Sequence, residues 1–190
     1  MLNSNEHILE IILKCSEGDA KAQEWLFKTY YSKLMTICLR YTDNEDDAKD
    51  IFNEGFLKIF QNINQFNHLG SFEGWLKRIM SHSAIDFIRR NLKHKNAQSI
   101  HLITDYPDPS SYNDAISSLS EKELLLLIQK LPPMSRSVFN LAIFEDYSHK
   151  EISKILNIKE GTSMWHLNNA RTILKKQISL ITKQEEAIYG

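Results

Sequence analysis

The chain has 190 residues, room for one ordinary domain or two small ones, which excludes a large multidomain machine. Hydrophobic residues make up 42% and charged residues 25%, with six glycines and four prolines, a composition that suits a soluble helical protein and excludes collagen-like and wholly disordered classes. The formal net charge of −1 is unevenly spread: residues 72–95 hold six basic groups against two acidic ones, whereas residues 1–71 hold seven against eleven. A basic patch between acidic stretches predicts one surface for a polyanion and another for a different partner.

No apolar stretch approaches the length of a membrane span, and Glu6 and Glu10 stand where a signal core would lie, so a cytoplasmic protein without membrane insertion is expected. Cys15 and Cys38 lack CxxC spacing and read as reduced small hydrophobes.

Nearly every patterned stretch has the helical period, so an all-α fold of two small domains is predicted. A short helix over about Asn5 to Cys15 ends near Gly18. Asp19 then caps a long helix with Ala22, Leu26, Tyr30, Leu34, Ile37, Cys38 and Tyr41 on its apolar side. Thr42 and Glu45 have capping-box spacing before a helix with Ala48, Ile51, Phe52, Phe56, Ile59 and Phe60. After the polar stretch Asn62 to Gly70, a third helix carries Phe72, Trp75, Leu76, Ile79, Ile85 and Ile88, with Trp75 expected in the core.

Residues 96–118, with Pro107 and Pro109 among serines, asparagines and aspartates, read as a flexible linker between domains at 1–95 and 119–190. Ser120 and Glu123 form a second capping-box pattern, and Pro132-Pro133 ends that helix. The next helix is expected over about Ser135 to Phe144. Ser148 and Glu151 open a short helix, Asn157 supplies a left-handed turn above Ile158, and a last helix runs from about Glu160 to Leu180. Short helix, tight turn and longer helix make a helix-turn-helix, which lays its second helix in a DNA major groove.

Three groups of side chains stand out. Asp47, Asp50 and Glu54 share one face of the second long helix, read either as a solvated acidic face or as a docking surface. Lys77, Arg78, Arg89, Arg90, Lys93 and Lys95 lie near Phe72, Trp75 and Phe87, pairing phosphate-tracking cations with rings able to stack on bases. On the last helix, Ser163, Leu167, Ala170 and Leu174 form the buried side, which places Thr162, Trp165, Asn169 and Thr172 opposite. Trp165 either meets the groove or folds back on a neighbour. Paired carboxylates also admit a metal or acid–base role, but no histidine completes a Glu-x-x-His pair and there is no Gly-rich phosphate loop, so neither cofactor nor enzymatic activity is expected.

These residues, in this order, resemble the small extracytoplasmic-function group of bacterial RNA polymerase sigma factors, over about residues 15–95 and 119–176. In the first domain the resemblance is carried by Asp47-Ala48-Lys49-Asp50-Ile51-Phe52-Asn53-Glu54-Gly55-Phe56 and Ser71-Phe72-Glu73-Gly74-Trp75-Leu76-Lys77-Arg78. In the second it is carried by Leu131-Pro132, Tyr147-Ser148, Glu151-Ile152, Gly161-Thr162 and Ala170-Arg171.

The resemblance implies that Asp47, Asp50, Asn53 and Glu54 dock on core RNA polymerase. It implies that His68, Ser71, Lys77, Arg78, His82, Arg89, Arg90 and Lys93 handle the minus-ten element, the loop at about Gln65 to Ser71 capturing a flipped base. Lys159, Thr162, Trp165, His166, Asn169 and Arg171 would read the minus-thirty-five element. Core polymerase, promoter DNA and an anti-sigma protein are the partners it names. Asn53 replaces a usual glutamine, His82 a frequent asparagine, and Ser163-Met164-Trp165-His166 a basic or small polar series. The alternatives are a helix-turn-helix regulator acting on duplex DNA alone and a protein-interaction adaptor.

Overall fold

A computed structural model describes the backbone of residues 4–67, 69–95 and 120–189, and side chains over 6–67, 69–91 and 120–181. The expected linker at 96–118 lies outside the described residues. Among the described residues every regular element is a helix, and the chain divides into two compact units, Met1–Ile88 and Arg89–Gly190.

The first unit opens with α1 (Ser4–Ser16), which ends where Gly18 takes a φ of 84° that a side chain would strain. Asp19 caps α2 (Ala20–Tyr41) by accepting from the Ala22 N–H at 2.7 Å, as its position before the apolar series predicts. The cap of α3 (Glu45–Asn62) is Asn44, not Thr42: Asn44 accepts from the Asp47 N–H, whereas the buried Thr42 hydroxyl donates to the Cys38 carbonyl at the end of α2. Both residues have short polar side chains, and Thr42 is already committed to the preceding helix.

The α2–α3 seam is aromatic. Phe27 meets Phe52 edge-on at 5.4 Å and Phe56 at 5.0 Å, and Tyr31 meets Phe52 at 4.9 Å. After a 3-10 turn (Ile63–Gln65), α4 (Phe72–Lys95) buries Phe72, Leu76, Met80, Ala84, Ile85 and Ile88. Trp75 is only half-buried, stacked on Phe72 with an interplanar angle of 16°, so the core runs through Met80 and Ala84 instead. α3 and α4 approach closely at Gly55, where an added Cβ would lie 2.5 Å from Met80 Sδ. Cys15 and Cys38 are buried free thiols, raised by desolvation to about 11 and about 12, and behave as apolar filler.

In the second unit Ser120 and Glu123 close a full capping box at the start of α5 (Glu121–Gln129). α6 spans Pro133–Ile143, two residues earlier than expected, because Pro133 occupies the first helical turn, where its missing N–H costs nothing. Ser148 and Glu151 box the start of α7 (His149–Leu156), and Asn157 ends it in the left-handed conformation at φ 54°, ψ 49°. α8 (Glu160–Tyr189) starts three residues after Asn157 and continues past the expected Leu180. Val138, Leu141, Ile152, Leu167 and Ala170 meet in the core of this unit.

Substitutions at two positions test this structure by chemical denaturation. Gly55→Val forces branched bulk against a fully buried Met80 and is expected to destabilise the first unit by about 1–3 kcal/mol. At the helix-turn-helix corner, Asn157→Ala is expected to cost about 1–2 kcal/mol and Asn157→Gly much less, because only the alanine pays for left-handed backbone.

Candidate docking face and nucleic-acid interfaces

On α3 the outward stripe is narrower than the acidic pattern suggested. Asp50, Asn53 and Leu57, at i, i+3 and i+7, are exposed together, with Asp46 one turn earlier. Asp47 is half-buried, its carboxylate accepting from Asn44 Nδ2 at 2.8 Å. Glu54 turns aside and pairs with Lys58 at 3.1 Å, and Lys58 also reaches Asp86 of α4 at 3.2 Å. The four predicted docking residues therefore split, Asp50 and Asn53 facing outward while Asp47 and Glu54 hold local structure at the margin. Leu57, 57% exposed on the same stripe, was missed, although its helical spacing from Asp50 and Asn53 is legible.

The loop before α4 is pinned at both ends. Phe66 packs against Phe72 at 5.2 Å and Trp75 at 5.8 Å. Asn67 Oδ1 accepts from the Leu69 N–H, Gly70 takes a φ of 95°, and Ser71 Oγ accepts from the Gly74 N–H at 3.0 Å. Between these anchors Leu69 is 83% exposed. His68 lies outside the described residues.

The cations that follow are not equivalent. Lys77 pairs with Glu73 at 2.8 Å, and the other oxygen of Glu73 takes Lys33 of α2 at 2.7 Å. Those two lysines donate hydrogen bonds that hold the Glu73 carboxyl below its usual range. Lys77 is thus locally neutralised, while Arg78, Arg89 and Arg90 stand exposed along α4. His82 is exposed between Arg78 and Asp86. Crowding of its ring and the Arg78 guanidinium push its pKa down, which favours a neutral imidazole. Lys93 lies on α4 with its side chain outside the described residues.

On α8 the buried residues are Ser163, Leu167, Ala170 and Leu174, as the periodicity requires, but the open sector is rotated from the one expected. Asn169 does not face outward: its Nδ2 donates to Ser135 Oγ of α6 at 3.1 Å. His166 turns the same way, its Nδ1 3.0 Å from that oxygen. Helix α6 covers this flank, something no single-helix projection contains. Thr162 and Trp165 are half-buried, Trp165 with its ring edge-on to His166 at 4.8 Å. Lys159, Met164, Asn168, Arg171 and Thr172 are exposed. Met164 and Asn168 were missed because the expected face was centred on Trp165. A second link, His149 Nδ1 to Ser163 Oγ at 2.8 Å, ties α7 to α8.

Among the described residues no group of three His, Cys, Asp or Glu side chains could hold a metal ion, and no helix is long and apolar enough to cross a membrane.

Two family models match the chain in order, sigma-70 region 2 over residues 26–93 and sigma-70 region 4 over residues 115–174. The first spans α2 to α4 and the second includes the helix-turn-helix. The chain is 30% identical over 176 residues to the ECF RNA polymerase sigma factor SigW of Bacillus subtilis, covering 88% of this chain and 94% of the relative. It is 29% identical to the RNA polymerase sigma factor YlaC of the same organism, covering 87% and 96%. Among solved structures, the sigma factor RpoE in complex with the anti-sigma factor NepR from Bartonella quintana aligns over 82% of this chain and 96% of that one, with 16% identity and a TM-score of 0.48. With both regions in order and near full-length similarity to SigW, the chain belongs to the sigma-70 family of RNA polymerase sigma factors, initiation factors that recognise promoters and are not enzymes.

Proposed function

We propose that this chain acts in the cytoplasm as an extracytoplasmic-function sigma factor whose residues 1–95 dock on core polymerase and open the minus-ten element. Residues 119–190 read the minus-thirty-five element, and 96–118 link the two. The observation that carries this reading is the presence of both sigma-70 regions, in order, in one chain. Core RNA polymerase and promoter DNA are the partners that follow, with an anti-sigma protein as the class of regulator.

Core docking is assigned to Asp50, Asn53 and Leu57, with Asp47 and Glu54 at the margin. The exposed Asp50 carboxylate suits an arginine on a partner, and the exposed leucine one turn beyond Asn53 offers apolar area that becomes favourable only when covered. Strand opening is assigned to the loop carrying His68, Leu69 and Ser71 and to Arg78, His82, Arg89, Arg90 and Lys93. Lys77 contributes less, because Glu73 already neutralises it. Flipping a base costs a few kcal/mol, which contacts in the pinned loop and phosphate neutralisation by the arginines must offset. Duplex reading is assigned to the exposed side of α8, with Lys159 and Arg171 on phosphates and Thr162 and Trp165 at its edge.

Adaptor and stand-alone regulator readings fit less well: an adaptor has no use for a pinned loop beside exposed arginines, and a simple repressor has no use for the α3 stripe.

Asp50→Lys is the clean test of docking, because Asp50 is exposed whereas changing Glu54 would also disturb Lys58 and its link to α4. Affinity for core polymerase should fall at least tenfold, about 1.4 kcal/mol, with helical content by circular dichroism unchanged. Unchanged core affinity would remove the assignment.

The free chain, with a formal charge of −1, should bind duplex DNA weakly, and core polymerase should rescue binding. Within the complex, replacing Arg89 and Arg90 with alanine should slow strand opening and reduce the logarithmic salt slope by roughly one unit per lost phosphate contact. Titrating binding against salt checks this, and tight, salt-insensitive binding by the free chain would favour the stand-alone regulator.

A further inference from the structure

The exposed half of α8 holds two side chains able to contact base edges, Met164 and Asn168, while Asn169, which chemistry would rank beside Asn168, is half-buried on another flank. Asparagine amides are suited to adenine, offering a donor and an acceptor that match N7 and the N6 amino group. Adjacent residues on a helix point about 100° apart, so Asn168 and Asn169 cannot serve one base together. The structure distinguishes them. Asn168 is exposed, whereas the Asn169 amide donates to Ser135 Oγ at 3.1 Å.

Ser135 is 1% exposed, so this hydroxyl is anchored in the core of α6 and not free to follow a mobile partner. The same oxygen lies 3.0 Å from His166 Nδ1. One buried hydroxyl therefore engages two side chains of α8 at i and i+3, and draws the flank that carries them against α6. The flank left open holds Met164, 45% exposed, with Asn168 one turn further on.

We propose that Ser135 is a positioning residue that selects which side chains of α8 read the duplex: by holding Asn169 and His166 against α6, it leaves Asn168 to read an adenine edge and Met164 to contact a neighbouring thymine methyl. The inference rests on the reading of α8 as the promoter-reading helix and adds to it the residues that discriminate and the sequence class they favour, an adenine beside a thymine. Freed from Ser135, the Asn169 amide would be available to a second base.

The test uses the full chain assembled with core polymerase and a promoter library randomised across the upstream element, read as enrichment of each base at each position. Asn168→Ala should reduce preference for adenine at one position by about tenfold, and Met164→Ala should reduce preference for thymine at an adjacent one. Both residues are exposed, so neither change endangers folding. Asn169→Ala should leave each preference within about twofold of the wild type. Ser135→Ala should create a preference at a position where the wild type has none, a shift that lost packing alone cannot produce. Loss of preference in Asn169→Ala with Asn168→Ala silent would overturn the proposal. A wild-type complex that shows no upstream preference would overturn both the proposal and the duplex-reading role of α8, whereas a wild type that discriminates while all four variants match it would overturn the proposal alone.

Discussion

The close approach of α3 and α4 at Gly55 organises the first unit. A side chain there would collide with Met80, and its absence lets the backbone of α3 sit against a fully buried thioether. At about 100° per residue, Gly55 lies half a turn round α3 from the stripe of Asp50, Asn53 and Leu57. The stripe therefore points directly away from α4. A surface on the stripe is thus separate from α4, while the packed α3–α4 contact fixes the two helices against each other. Lys58 adds a polar clasp between Glu54 and Asp86, but an exposed clasp of this kind contributes at most about 1 kcal/mol, and the apolar contact dominates.

Electrostatics then divides the labour. A net charge of −1 gives no long-range attraction to DNA, and screening over roughly 10 Å leaves each patch to act on what is already near. Glu73 refines this by tying Lys33 and Lys77 together, which joins α2 to α4 and offsets the charge of both lysines. The exposed arginines of α4 are Arg78, Arg89 and Arg90.

Local chemistry made most of the fold legible. Asp19, the two capping boxes at Ser120 and Ser148, and the left-handed Asn157 each act within four residues, so a short window contains all the partners they need. The start of α3 failed for a physical reason: Thr42 and Asn44 are both competent caps, and the choice depends on Thr42 being spent on the Cys38 carbonyl of the previous helix. The face of α8 failed for a longer-range one. Periodicity correctly gave its buried line, but which flank is covered depends on α6, and Ser135 lies over 30 residues away in sequence from the side chains it engages. Trp75 shows the same limit, since its spacing is that of a core stripe while its half-burial reflects the edge of an aromatic cluster.

The hydrogen bonds that fix α8 converge on one hydroxyl. Ser135 Oγ accepts from Asn169 Nδ2 and lies 3.0 Å from His166 Nδ1, a contact it makes as donor or as second-time acceptor according to the ring's tautomer. Burial pushes the His166 imidazole below its ordinary pKa, which favours the neutral ring. Both contacts form only when α8 presents both residues to α6, and a rotation that turned Asn169 away from α6 would break the first. With His149 bound to Ser163 on the α7 side, α8 is gripped from both neighbouring helices. The side chains it shows to solvent are therefore set by its hydrogen bonds to α6 and α7.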